Sequence, residues 1–321
     1  MIIGNMKRNI YSYSKLWMIF FVLMGAACTN QVEDAIPVSG QPIGFSVQSD
    51  WKEIPNTRLL IDDNGTMKFT QGDKVQIFGF HKPYSGAVEN VQFMYDVDHQ
   101  NSGQIVTYDG NNSWNYTPKR FWPKEGLLDF YASYPCDSYN SSIHYDVEKK
   151  MMTYENNLTQ DLLYGLATDR DRAKGNPVPI WMVHALAKVK IIFDTSSLGD
   201  IGQVTVSGYK AGHFSPMSNN DGVPVWTIDD DNTHINADFK YDEIHKDNSV
   251  TVTVFILPKK ITGLWMWDTH HNKIYDPSAS NEIQKYEFEA GKEYKITISK
   301  GVRKKNTNSR SIAMSVRCVS E

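Results

Sequence analysis

The chain has 321 residues, enough for two domains of roughly 100–200 residues each. Charged residues make up 22% and hydrophobic residues 40%, an ordinary globular balance. A net charge of −4 leaves no basic footprint for nucleic acid, whereas aromatics at 12% suit β-sheets and binding surfaces.

The N-terminus carries Lys7, Arg8 and Lys15 around the apolar run 16–24, followed by Gly25, Ala26 and Ala27. That run is too short for the ~20 residues of a membrane span, so 1–27 reads as a secretory signal peptide. Small residues directly before Cys28 resemble a bacterial lipobox. This predicts an acylated Cys28 that ties the protein to a membrane without crossing it. An ordinary signal followed by an incidental Cys is the alternative. Cys136 and Cys318 lack the spacing of a zinc site and can either pair or stay apart.

Residues 28–41 are polar and read as a lipidated tether. Within 42–49, Ile43, Phe45 and Val47 alternate with Gly44, Ser46 and Gln48, which predicts the first strand. Asp63-Asn64-Gly65 and Gln71-Gly72-Asp73 mark turns, and strands follow near 75–80, 91–95, 104–108, 113–116 and 127–134. Two short helices are expected, around 158–167 and 242–245. From Val183 to Phe193 one parity is wholly apolar while Lys188 and Lys190 occupy the other, so 179–193 reads as β. At ~3.3 Å per residue it exceeds most single strands, so a bend is expected near His184. Later strands fall at 204–206, 223–228, 249–257 and 294–299. The clearest has Val250, Val252, Val254 and Ile256 on one face.

This spacing predicts an all-β protein of two antiparallel sandwich domains, over 42–176 and 177–300. The tail 301–321 starts basic and patternless, then alternates again at Ile312, Met314, Val316 and Cys318. It fits a mobile terminal strand, a frayed tail, or a last strand folded into its own sheet.

No nucleophile elbow, zinc-protease motif or phosphate loop is present, so neither an enzyme nor a cofactor is predicted. Asp268, His270 and His271 cluster beside Trp265 and Trp267, as acid/base groups or as ordinary loop polar residues. Asp229-Asp230-Asp231-Asn232 offers carboxylates but lacks the glycine and distal glutamate of a calcium loop, so a solvated turn is expected and no metal site is assigned. His184 reads as a satisfied buried histidine, and Trp114, Trp122 and Trp226 as core.

Several segments in order resemble the fimbrillin family of Bacteroides-type bacteria, particularly its fimbrillin-like (Mfa-like) branch. They include Ile43-Gly44-Phe45 followed by Thr57-Arg58, Gly72-Asp73-Lys74-Val75 with Ile77-Phe78-Gly79-Phe80, and Trp114-Asn115-Tyr116-Thr117-Pro118. Phe121-Trp122-Pro123, Leu128-Asp129-Phe130-Tyr131-Ala132, Asp161-Leu162-Leu163-Tyr164, His184-Ala185-Leu186-Ala187 and Ala290-Gly291-Lys292-Glu293-Tyr294 continue the series. The resemblance implies tandem transthyretin-like sandwiches, exported as an outer-membrane lipoprotein and used as a fimbrial (type V pilus) subunit in adhesion. In such stalk subunits an Arg-directed protease removes the first strand, and a strand of the next subunit fills the groove. Here Arg58 would be the processing site. Ile43, Phe45 and Val47 would form the displaced strand, and Ile312, Met314 and Val316 the candidate donor. Partners implied are other fimbrial subunits, the outer membrane through the lipid, and a host or bacterial surface protein or glycan. The tail departs from the family's regular last strand, which also fits a tip or accessory subunit. The alternative function is a carbohydrate-capturing surface lipoprotein that uses Trp265 and Trp267.

Overall fold

The computed structural model describes residues 36, 38–49, 60–61, 67–85, 87, 91–99, 101–136, 143–216, 219–220, 222–240, 244–246, 249–275, 283–300 and 314–320. Among them the chain is nearly all β, with a four-residue α-helix at Thr195–Leu198 opened by the Asp194 side chain; of the helix expected over 242–245, 242 and 243 lie outside the described residues, Ile244 is helical and His245 begins a strand. The first core is built on an eight-stranded sheet. Its order runs Phe45–Ser49, Val178–His184, Leu163–Arg170, Leu127–Tyr134, Lys74–Lys82, Gln104–Tyr108, Trp114–Asn115, with Val91–Met94 also on Lys74–Lys82.

The middle strands of this sheet are apolar on both faces because both faces are covered. On one side Phe130 meets Trp122 edge-on at 6.2 Å between centroids. On the other, a four-stranded sheet (Ile143–Asp146, Met151–Glu155, Ala211–Phe214, Thr227–Ile228) brings Tyr145 to 4.8 Å from Phe80 and Phe214 to 4.9 Å from Tyr164. Inside this layer Lys82 Nζ lies 2.8 Å from Asp129 Oδ2 and 2.6 Å from Asp169 Oδ1, so the buried ammonium has two carboxylates.

A second core lies between two further sheets. One is ordered His245–Lys246, Ser249–Ile256, Ala187–Phe193, Glu293–Lys300, Met314–Ser320; the other His234–Lys240, Gln203–Tyr209, Gly263–Trp267, Lys273–Tyr275. Val189, Ile191, Val252, Val254 and Ile296 face Val204, Val206, Leu264 and Met266 across it. The predicted face of Val250, Val252, Val254 and Ile256 is buried.

Several expectations change. The leading strand starts at Phe45, because Ile43 and Gly44 bond to a loop and to a side chain instead of a ladder. The tether expected over 28–41 is shortened, since Val38–Pro42 pairs with Phe121–Pro123. The helix expected over 158–167 is overturned: Leu163–Arg170 is a strand, and its continuous apolar run reflects a sheet buried on both faces. The run 179–193 is two strands in two sheets. Inward residues are even-numbered from Val178 to His184 and odd-numbered from Ala187 to Phe193, and the parity changes across Ala185 and Leu186. The passage between cores therefore comes later than 176/177, because Val178–His184 completes the first sheet. Most pairings are antiparallel, but Phe45–Ser49 on Val178–His184 and Ala187–Phe193 on Glu293–Lys300 are parallel.

Candidate strand-docking site

Phe45–Ser49 sits at the edge of the first sheet and pairs there with Val178–His184 alone, while Pro42 and Ile43 just before it bond to Phe121–Pro123 and Arg120. Ile43, Phe45, Val47 and Ser49 point inward, with exposures of 1%, 3%, 5% and 4%, while Gln48 faces solvent. The register places Phe45 beside Val178, Val47 beside Ile180 and Ser49 beside Met182, all three of those partners fully buried. Phe45 also meets the edge of Phe130 at 5.2 Å and the tilted ring of Tyr116 at 5.8 Å. Burying three apolar side chains at roughly 1.5–3 kcal/mol each gives about 4.5–9 kcal/mol of hydrophobic stabilisation.

The main chain at 42–44 is held by groups that do not depend on its side chains. The Asn176 carboxamide accepts from Gly44 N–H at 2.7 Å and donates to the Pro42 carbonyl at 3.0 Å, acting as one peptide group of a missing strand. Tyr116 Oη donates to the Ile43 carbonyl at 2.7 Å, Ile43 N–H donates to the Arg120 carbonyl at 2.9 Å, and Val178 N–H donates to the Gly44 carbonyl at 2.8 Å. Burial pushes the Tyr116 phenol up to about 12, against a smaller opposing effect of its Arg120 backbone bond, so it stays a neutral donor at physiological pH. The site is thus an apolar trough with a polar clamp at one end, shaped to an extended peptide.

A family profile described as fimbrillin-like matches residues 57–313. The chain belongs to the fimbrillin-like family. This is a family of fimbrial and cell adhesion proteins. A candidate cell adhesion protein from Bacteroides uniformis has a similar fold: TM-score 0.50, 16% identity, covering 87% of this chain and 97% of that one. A candidate cell adhesion protein from Bacteroides ovatus gives 0.50 and 14%, over 88% and 98%. The fimbrial anchor protein Mfa2 from Porphyromonas gingivalis gives 0.38 and 9%, over 87% and 97%. At these identities the likeness to the two Bacteroides proteins is one of fold. No protein of curated function matches.

The other predicted residues of this fimbrillin-like chain are dispersed. Cys28, Arg58 and Ile312 lie outside the described residues. Met314 and Val316 belong to the tail strand Met314–Ser320, which lies antiparallel on Glu293–Lys300 with Val316 opposite Ile298. Trp265 and Trp267 are half-buried on one face of Gly263–Trp267, opposite Thr205 and Gln203, in the second core's outer sheet and not in the trough. The Trp265 six-membered ring occupies the space a Cβ on Gly263 would need, with atoms 2.3 and 2.6 Å from that position. Asp268 accepts from the N–H groups of His270 and Asn272, which makes its cluster a capped turn. The aspartates of 229–231 have separate partners: His213 for Asp229, Thr233 for Asp230 and Lys259 for Asp231. His184 is buried against Asp161. Trp114 and Trp122 are buried, and the Trp226 ring donates to the Ala185 carbonyl at 2.7 Å.

Sequence reasoning missed Asn176, Tyr116 and Phe130 as parts of the docking site. Tyr116 and Phe130 lie inside segments that carry the family resemblance, but Asn176 has no local signal, since its partners are more than 130 residues away.

Proposed function

We propose that this protein is a non-enzymatic fimbrial subunit, anchored in the outer membrane through Cys28, that assembles with other subunits by exchanging its leading strand. Family membership supports the fimbrial and adhesive part of this reading. The observation that carries the exchange is the edge position of Phe45–Ser49, with one ladder neighbour, together with the four inward side chains of 43–49 in a trough and a clamp that grips the main chain at 42–44. An edge strand can leave without opening the interior of the sheet; here the leaving piece gives up its ladder on Val178–His184 and the short pairing of Val38–Pro42 with Phe121–Pro123, and main-chain recognition lets another chain replace it. Cleavage after Arg58 would sever 42–49 from the rest of the fold, so that only non-covalent contacts hold it.

The test is Arg58→Ala in cells that carry an Arg-directed surface protease. The wild type is expected to yield SDS-resistant ladders and a shortened N-terminus, and the variant only intact monomer. Ladders from Arg58→Ala equal to wild type would refute processing at this residue.

A further inference from the structure

The strands of the first sheet share one end. Lys74–Lys82 and Leu163–Arg170 finish there, and Phe45–Ser49, Leu127–Tyr134 and Val178–His184 start there. The opposite end passes into the second core, since His184 is followed at Ala187 by a strand of that core. The N-terminal chain comes in at the first end, where Ile43 bonds to the Arg120 carbonyl and Pro42 and Gly44 bond to the Asn176 carboxamide. The loops 117–126 and 169–177 therefore form one surface around the point of entry.

That surface is cationic on a chain whose net charge is −4. The two loops hold six basic residues against three acidic ones. Of the acids, Asp169 faces Lys82, and Asp171 accepts from the Lys174 N–H. Of the bases, Arg120 is turned to the carbonyl and ring of Tyr95, and Arg170 binds the Lys174 carbonyl. The other four, Lys119, Lys124, Arg172 and Lys174, are exposed. Lys119 stands over the Tyr116 ring and Lys174 donates to the Asp169 carbonyl, contacts that leave both charges uncompensated. Apolar groups stand out of the same end. Val38 and Phe121 are 42% and 36% exposed on the ribbon that joins Val38–Pro42 to Phe121–Pro123. Tyr84 is 65% exposed in the loop after Lys82, which Ser85 ties to Asp169 at 2.9 Å. Aromatic rings beside ammonium and guanidinium groups suit the level of phosphate headgroups, where the rings enter the interface and the cations meet anions.

Building on the reading that Cys28 carries the lipid, we propose that in the uncut chain this end of the first sheet rests on the anionic phosphate headgroups of the membrane. The position of the anchor selects this occupant. Ten residues lead from Cys28 to Val38, so a lipid on Cys28 keeps Val38 within ~36 Å of the bilayer. The attraction acts over a Debye length of about 8–10 Å, which the tether lets this end reach first. Each cation at an anionic surface should tighten the contact about fivefold. The second core would then point away from the membrane. Without the lipid such a contact is weak and reversible, so a chain lacking Cys28 still leaves the membrane in physiological salt.

The test uses the full mature chain with Cys28→Ser, so that no lipid contributes, and sedimentation with vesicles. In about 0.05 M salt it is expected to bind phosphatidylcholine vesicles containing about 30% phosphatidylglycerol but not phosphatidylcholine alone, and to be released in about 0.5 M salt. Lys119→Gln, Lys124→Gln, Arg172→Gln and Lys174→Gln together should weaken binding at least about a hundredfold. Lys149→Gln, Lys150→Gln, Lys240→Gln and Lys273→Gln remove the same charge from exposed positions elsewhere and should change it less than about threefold. An unchanged urea midpoint in both sets shows that each is folded. In the lipidated chain with Cys318→Ser, a dye on Tyr84→Cys should be quenched by headgroup-labelled nitroxide lipid. A dye on Val225→Cys should not, since its neighbour Trp226 bonds to Ala185 at the opposite end. Equal losses in the two charge sets, equal binding to neutral vesicles, or an unquenched dye at residue 84 would overturn the docking and leave the anchor standing. A wild-type chain that takes no fatty-acid label would remove the anchor, and the proposal with it.

Discussion

Replacing Phe45 by alanine separates a strand that merely belongs to the fold from one built to leave it. Phe45 is 3% exposed and packs on Phe130 and Tyr116, so the truncation should cost about 3–5 kcal/mol. The strand pairs on one side only. The penalty should therefore fall on the local opening that lifts 43–49 off the sheet. At 1.4 kcal/mol per factor of ten, protection of the amides that the strand holds should drop by about two to three and a half orders of magnitude. Native-state hydrogen exchange reads this at Ile43 and Gly44, which donate to Arg120 and Asn176, and at Val178, which donates to the Gly44 carbonyl. Ile191 and Val252, in the second core, should keep their protection. A uniform loss across both sets would show that the strand opens only with the whole molecule, which would refute the exchange argument. A change under about threefold at Val178 would show that Phe45 does not hold the strand.

Cys28→Ala should move the protein from the membrane fraction to the soluble one and abolish labelling by a fatty-acid probe. Lys82→Met should lower stability in urea by about 3–5 kcal/mol, because it leaves Asp129 buried without its cation. Asp169 is held below its usual 3.8 chiefly by the Lys82 hydrogen bond, so its contribution is complete above about pH 4 and lost as pH falls through the lowered value. Burial pulls Lys82 down, but its bonds to Asp129 and Asp169 more than offset this and raise it above 10.5; its contribution is complete below that value and lost above it. A urea midpoint measured across pH should thus hold a plateau with an acid limb, and Lys82→Met should flatten that limb. Trp265→Ala and Trp267→Ala should leave adhesion to glycan arrays unchanged if adhesion lies elsewhere, and a loss would favour the carbohydrate reading.

Where one face of a strand is wet, the sequence declared it. The alternation at 43–49 and 249–256 was readable because solvent lies on the other side or begins close by. Leu163–Arg170 was not readable, since Leu163, Tyr164 and Gly165 are all buried between two layers and local preference resembles a helix. The break in 179–193 was foreseeable from length, but its cause is the parity switch at Ala185 and Leu186, which needs two cores to be seen. The trough followed the same divide. Its occupant was legible and its clamp was not, because Asn176 earns its role from a long-range contact and not from a pattern.

Both chain ends that matter to the proposed assembly occupy outermost positions, Phe45–Ser49 on the first sheet and Met314–Ser320 on the second. This placement decides what exchange requires. A central strand could leave only by breaking two ladders and opening a core on both sides. An edge strand gives up one ladder and the contacts of its inward face, and an incoming strand of the same pattern restores both. The net driving force is then a difference between two similar occupants and is small. Assembly would need the covalent step at Arg58 to make it directional, since before the cut the leading strand competes at the high effective concentration of its own chain. The same reasoning predicts that uncut protein, mixed with any amount of tail peptide, stays monomeric and peptide-free. Stable peptide uptake by the uncut chain, measured by size-exclusion chromatography, would show that the trough opens without cleavage.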